Sequence, residues 1–569
     1  MKDLGEEASQ KSKGLVALSK CQMTTSERDV EVLTRRYGLR IPIPLTSIPK
    51  TRGVRFQGDF TVLALRSWAQ WIVDFNLWHV MCGLNAPDPR RERAILTEFW
   101  RRYKVAFPNH QLWELVQRKN IDISRVCPMI FHGDEGRGRK RAAFLVCQYH
   151  SFLGKGTLSA NAARVGKPYR LMRLNYSGNS WTHRLLTAVL PKMVKDEVAL
   201  KDILRHVTQD SLSMINEGVL SCHGERFYMV TLQVCGDWAF LAKAGQLARS
   251  FSNVQKRPHG VNSVPKGVCH YCKAGQLEYP FEDFNANPCW RPTMFQADDV
   301  PFTEPPVLLK LHHLPTAPAK LFIYDIWHAY HLGLAKTFLA SVLALVSDRM
   351  LGGNIEMRFD QLTREYLLWC DETKTSSFLT GITKETLGWP DRKTFPNGQW
   401  SKGHISTALH SFLKSWFSLH ANDLAGDTML MSCMRANTLI GAAFEELYAN
   451  DVWLSVEVAK RISAKALQFL RIYMSLAKQC FDDGKAFFPY MPKGHVVHHV
   501  FLAMKEEADA GESQINPMVY GVQVDEDFVG KSSRLSRRVG AGQVVKRVLQ
   551  RSLCAAHRRW IEAGSWWKG

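Results

Sequence analysis

Long apolar runs are scarce in this chain. The longest, Phe338 to Val346, falls far short of the roughly 20 residues that a helix needs to cross a bilayer. Met1 to Lys20 lacks the continuous apolar core of a secretory signal. These absences point to a soluble, intracellular protein with no membrane partner. Paired cysteines are also missing: the 13 cysteines are odd in number and scattered. In a reducing compartment they read as buried thiols or metal ligands rather than a disulfide framework. There is no internal repeat, no clear helix-turn-helix signature and no second CxxC to complete an obvious zinc motif.

Acidic residues are in deficit, with 53 Asp and Glu against 74 Lys and Arg and a formal net charge of +21. Such a field attracts polyanions, so nucleic acid, DNA first, is the expected partner. From Lys531 to Gly569 there are ten Lys or Arg against one Glu, about +9 in that segment alone. The 569 residues, 46% hydrophobic and 22% charged, suit a globular chain of two to four domains. Self-association is left open.

The expected organisation is a flexible N-terminal arm over 1–50 and a helical, Trp-rich domain over 55–122. Trp68, Trp71, Trp78, Trp100 and Trp113 recur there with aliphatic residues, which reads as packing rather than base stacking. An α/β core follows over 123–350, interrupted at 252–319 by an irregular stretch that carries the CxxC. A helical insertion is expected over 351–490, a return segment over 491–530 and a basic tail over 531–569. Within the core, strands are predicted at Val126 to His132, Ala142 to Phe152, Tyr169 to Tyr176, Phe227 to Val234 and Leu321 to Tyr324. Helices are predicted at Asp196 to Glu217, Ala239 to Arg249 and Thr337 to Val346. Three strands, a helix, a strand, a helix and a further strand is the order of a ribonuclease-H-like mixed sheet.

Three of these strands run into an aspartate: Asp134 in His132-Gly-Asp-Glu-Gly, Asp237 in Gly236-Asp-Trp, and Asp325. A turn residue or helix cap is the ordinary meaning of one such Asp. Three in this order suggest convergence on one acidic site. Two-metal phosphoryl transfer needs several acidic oxygens around two ions about 3.5–4 Å apart. Asp134, Asp237 and Asp325 are the candidates, with Glu526 as the late acid and Glu445 or Glu446 as its competitors; Mg2+ or Mn2+ would be the ion. Cys269-x-x-Cys272 has the spacing with which two thiolates grip one tetrahedral zinc. Its remaining ligands are sought among His270, Cys289, His328 and His331. The cluster His495, His498 and His499 reads as a partly buried helix end that could also contact metal or phosphate. Arg137, Arg139 and Lys140 after the first strand, and Lys531, Arg534, Arg537 and Arg538 near the end, are candidate phosphate contacts. The last three lie on one side if the segment is helical.

Taken together, Asp134, Gly236-Asp237-Trp, Cys269-x-x-Cys272, Asp325-x-x-His328 with Gly333, and Pro492-Lys-Gly-His495 followed by Glu526 resemble the motif series of CACTA-related, Plavaka-type and Kyakuja-Dileera-Zisupton transposases. The resemblance covers roughly residues 125 to 540. It implies a ribonuclease-H-like DDE nuclease and strand transferase, acting on DNA in the nucleus with magnesium or manganese. Asp134, Asp237 and Glu526 would hold the metal, and Asp325 would ligate it or position His328. The chain departs from some relatives in carrying Asp134-Glu-Gly where they have Asp-x-Thr. A domesticated, catalytically inactive, zinc-containing DNA-binding or chromatin protein is the alternative.

Overall fold

A computed structural model describes residues 12–22, 24–51, 60–162, 172–192, 197–254, 265–296 and 299–562. Helix and strand are mixed around one sheet, built from β1 (Val126–Arg137), β2 (Ala143–Ser151), β3 (Leu185–Pro191), β4 (Arg226–Gly236) and a two-residue edge at Val219–Leu220. The spatial order is β3-β2-β1-β4-edge. β1 pairs antiparallel with β2 and parallel with β4, and β2 pairs antiparallel with β3. Val126 to Asp134 is buried at every position, as a strand covered on both faces requires.

Helices α1 (Leu65–Asp74) and α2 (Pro89–Ala106) each bond this sheet through an indole. Trp68 donates its indole N–H to Leu186 O and Trp100 donates to Val126 O, both at 2.8 Å. Trp68 and Trp100 are therefore bonded directly to the sheet. The N-terminal segment is tied down as well. Ile41 and Ile43 are buried, Ile41 N–H bonds Leu553 O, and Thr51 bonds the carboxylate of Asp202. Asp202 lies on α3 (Glu197–Glu217). An arm free over all of 1–50 is thus corrected for residues 41–51; residues 1–11 lie outside the described set.

The expected third strand is also corrected. Residues 163–171 lie outside the described residues, and Arg173 and Asn175 form only isolated bridges to Gly154 and Gly156. The strand that pairs with β2 is instead Leu185–Pro191, an all-buried LLTAVLP run. After β4 comes α4 (Trp238–Ala244). The stretch Leu321 to Tyr324 is not a full strand: Phe322 makes a single parallel bridge to Val234, and Ile323 N–H bonds Val234 O at 3.0 Å. It leads into α5 (Ile326–Ala329), a π-helical turn at Tyr330–Leu334, and α6 (Ala335–Ser347). Ile326–Ser347 is long and apolar enough to cross a membrane, yet most of it is buried inside the protein, the mark of a core helix.

Beyond α6 the chain is helical, including α7 (Gly403–Leu419), α8 (Thr428–Ala449) and α9 (Val456–Asp482). It returns through α10 (Pro492–Asp509) and α11 (Gln523–Arg534) to α12 (Val544–Glu562). The expected basic tail is therefore largely a packed helix. Val545, Val548, Leu549, Leu553 and Trp560 of α12 are buried, while its basic residues line the other side. α11 ends at Arg534, so Arg537 and Arg538 sit in the turn that follows and do not extend a basic helical face.

Candidate functional site

The register of β1 against β4 places Gly133 opposite Gly236. Asp134 and Asp237 are each the next residue, so the two carboxylates arise side by side on adjacent parallel strands. Asp237 caps α4, accepting the N–H of Phe240 at 2.6 Å. Glycine at 133 is what lets α4 sit this close, since a Cβ there would lie 2.2 Å from the Phe240 ring. Gly136 does the same for α11: a Cβ would meet Ser533 Oγ at 2.7 Å. The glycines flanking Asp134 thus admit the two helices that bring the other acids.

Asp134, His328 and Glu526 each offer a ligand atom, and these atoms all lie within 4.8 Å of one another. His328 Nε2 is 3.1 Å from Glu526 Oε1, and its Nδ1 is 2.6 Å from Asp325 Oδ2. Asp325 is fully buried and also caps α5, accepting N–H bonds from Trp327 at 2.8 Å and His328 at 3.1 Å. Of the two roles expected of Asp325, the second is the one seen: it positions His328. Asp325 spends its oxygens on capping α5 and orienting an imidazole, while His328, sought as a zinc ligand, faces the acids. Glu445 and Glu446 are elsewhere, in ion pairs with Lys414 and with Arg461 and Lys465.

Electrostatically the cluster is frustrated without a cation. Burial, then the charges of Glu526 and Asp237, push the Asp134 carboxyl well above the usual carboxylate range. Asp134 Oδ2 is buried with no hydrogen-bond partner. Burial, the largest single influence, opposes ionisation of Glu526, but the hydrogen bonds and charges of its neighbours, His328 first, together outweigh it and hold Glu526 at about 2. Burial would lower His328, yet its bonds to Asp325 and Glu526 prevail and lift it to about 10. Two carboxylates, one of them with an unpaired buried oxygen, and an imidazole make a donor set that fits a divalent cation.

α11 is registered by a buried ion pair one residue from Glu526. Asp525, 0% exposed, accepts from Arg184 Nε at 3.0 Å, Arg184 Nη2 at 3.1 Å and Gln148 Nε2 at 2.8 Å. Burial works against the charge of Asp525, but Arg184 holds its carboxyl far below the usual range. Arg184→Ala is expected to destabilise the fold by about 3–5 kcal/mol, because a buried carboxylate loses its partner; urea denaturation of the two proteins measures it. The pair's contribution is present above the unfolded carboxylate value near 4 and is lost as pH falls through the depressed folded value. Nothing in local sequence pattern marks Arg184 or Asp525, since they meet only in the folded chain.

A second group of donors gathers around the CxxC. Cys269, Cys272 and His499 offer ligand atoms all within 4.8 Å of one another, and His495 Nε2 is 3.4 Å from Cys272 Sγ. Burial would raise the Cys269 thiol, but hydrogen bonds from Cys272 and His495 bring it well below its ordinary value. Two thiols and two imidazoles suit one tetrahedral ion. The expected ligands differ from this set. His270 Nε2 bonds Phe322 O at 2.7 Å and His331 lies against Phe444. Cys289 and His331 are in neither donor group among the described residues. His498 instead stacks on Phe284. The missed pair, His495 and His499, is spaced i, i+4 on α10, which places both on one helix face.

This cluster reaches the acids through Phe322. Its carbonyl accepts from His270 and, at 2.9 Å, from Tyr271 OH, which pins the segment leading to Asp325. Among the expected phosphate contacts, Arg137, Arg139, Lys140, Arg534, Arg537 and Arg538 are exposed. Lys531 is partly buried and paired with Asp527 at 2.6 Å. Comparison with protein-family models finds none that matches this chain, and comparison with curated proteins finds no match either.

Proposed function

We propose that this is a transposase-like DNA-processing protein that cleaves and transfers DNA strands with a DDE-type site on a ribonuclease-H-like sheet. The observation that carries the reading is the meeting of Asp134, His328 and Glu526, from three distant segments, within 4.8 Å. Asp237, the residue after the neighbouring strand, lies close enough for its charge to act on Asp134. The strand order and the parallel bridge at Phe322 support the ribonuclease-H-like assignment. The net charge of +21 supports DNA as substrate and a nuclear location.

Asp134, Asp237 and Glu526 would hold Mg2+ or Mn2+, with His328 as a nitrogen donor that favours the softer manganese. The bound ion would activate the attacking oxygen and stabilise the leaving one. The chain's own part is positional. Asp325 fixes the imidazole plane of His328, the Arg184–Asp525 pair fixes α11, and burial keeps Asp134 out of bulk water. Cys269, Cys272, His495 and His499 would hold a structural zinc that secures the Phe322 segment.

The test is nicking of supercoiled plasmid in manganese. Cutting that EDTA abolishes supports the reading, whereas salt-dependent DNA binding without cutting favours the inactive DNA-binding alternative. Metal binding should also release protons, because His328 is charged below about 10 in the metal-free protein. Manganese affinity is expected to rise with pH across roughly 6.5 to 10. Calorimetric titration in two buffers of different ionisation enthalpy checks it, and an identical heat in both contradicts it.

A further inference from the structure

Two residues of the motif series, Gly333 and Lys493, belong to neither metal group. They meet in the fold. A Cβ at Gly333 would lie 2.5 Å from Lys493 Cδ and 2.9 Å from its Cβ, so glycine in the π-helical turn Tyr330–Leu334 is what lets the lysine stem pass this close. The stem comes from the first turn of α10, which Pro492 and Lys493 open. Its ammonium donates to Leu332 O at 3.2 Å.

Lys493 is costly where it stands. It is partly buried, and the positive end of a helix disfavours a cation in the first turn. Lys336 is close enough for its charge to oppose that of Lys493. Asp325 and Asp237 are close enough to favour it, yet Lys493 forms an ion pair with neither of them. An ammonium has three donors, and among the described residues the protein uses one. Lys336 also has no acidic partner among those residues, and its ammonium lies over the Trp400 ring at 6.0 Å. Two unpaired cations beside an acid cluster are what a bound anion would satisfy.

We propose that Lys493 and Lys336 form the anion subsite of the acid cluster, with Lys493 donating to a non-bridging oxygen of the phosphate under attack. The inference rests on the DNA-processing reading, which puts a phosphodiester at these acids. A phosphodiester brings negative charge to a site whose own side chains are acidic, and charge spreads over its equatorial oxygens as it reacts. Lysine aimed at those oxygens stabilises that charge, most effectively where the donor is held in place beforehand. The Gly333 contact supplies that hold by confining the stem.

Lys493→Met keeps an apolar stem and removes the charge. The full chain would be followed by nicking of supercoiled plasmid in manganese, by manganese binding in electron paramagnetic resonance and by a melting curve. Cutting is expected to fall about a hundredfold with the melting temperature unchanged. Manganese should bind as tightly as in the wild type or more tightly, because a cation near Asp237 and Asp325 has gone. Gly333→Ala keeps the charge and displaces the stem, so it should also lower cutting while manganese stays bound. Cutting by Lys493→Met at the wild-type rate would overturn the subsite and leave the DNA reading intact. Loss of manganese binding together with cutting in Lys493→Met would make the lysine a structural prop and overturn the subsite too. A wild type that binds manganese and does not cut would overturn the DNA-processing reading itself and the subsite with it.

Discussion

Asp134→Asn and Glu526→Gln are each expected to lower manganese-dependent plasmid nicking by about a thousandfold or more while leaving the fold intact. The size follows from the proposed role: each would be a ligand whose charge holds an ion that stabilises the reacting oxygens, a contribution of several kcal/mol. The fold should tolerate both changes. Asp134 is buried beside two other carboxylates and its Oδ2 is unpartnered, so its ionised form is strained in the metal-free protein. Asp134→Asn removes that repulsion and should keep or raise the melting temperature of the apo protein. Glu445→Gln and Glu446→Gln serve as controls, since both side chains are in ion pairs with basic residues. They should retain cutting. If Glu446→Gln stopped cutting and Glu526→Gln did not, the assignment of the late acid to α11 would be wrong.

Loss of the second metal group should be nearly as damaging, by a different route. The wild type is expected to carry about one zinc per chain, and Cys272→Ser or His495→Ala should each release it. Phe322 O is held by His270 and Tyr271, neighbours of the two cysteines, so zinc loss frees the segment that ends in Asp325. Asp325 then ceases to orient His328, and cutting should fall even though no acid has changed. Thermal unfolding should shift down by ten degrees or more, because a structural zinc contributes folding free energy outright. Cys289→Ser should keep the zinc and the activity. Elemental analysis with a melting curve for the same three variants decides it; a full zinc complement in His495→Ala would refute the ligand set.

Much of the sheet was legible because its strands are continuous apolar runs between turn signals. Val126 to His132 and Phe227 to Val234 read directly as strands, and the acids at their ends fall on adjacent rungs. The helix expected over Asp196 to Glu217 is present from Glu197, the first described residue there. The third strand was misplaced because Leu185–Pro191 directly follows a short helix, Ser180–His183, and carries no turn marker between. The second donor group was half legible: a CxxC announces itself by spacing, but His495 lies 223 positions from Cys272. Only the i, i+4 spacing of His495 and His499 hinted at a shared face. Asp325 was read as either a ligand or a positioner of His328, and local sequence could not choose between them, since an Asp before a helix looks the same whether it caps or coordinates. The packing of α12 against the sheet was hidden by its charge, which sits on one side while Val545, Val548 and Leu549 are buried.

The most direct test of the account is manganese binding itself, followed by electron paramagnetic resonance in wild type, Asp134→Asn and His328→Ala. Bound manganese should appear in the wild type, weaken about tenfold or more without the imidazole, and disappear without the Asp134 carboxylate. Equal binding in all three proteins would show that Asp134, His328 and Glu526 do not form a metal site, and the DDE reading would fall with it.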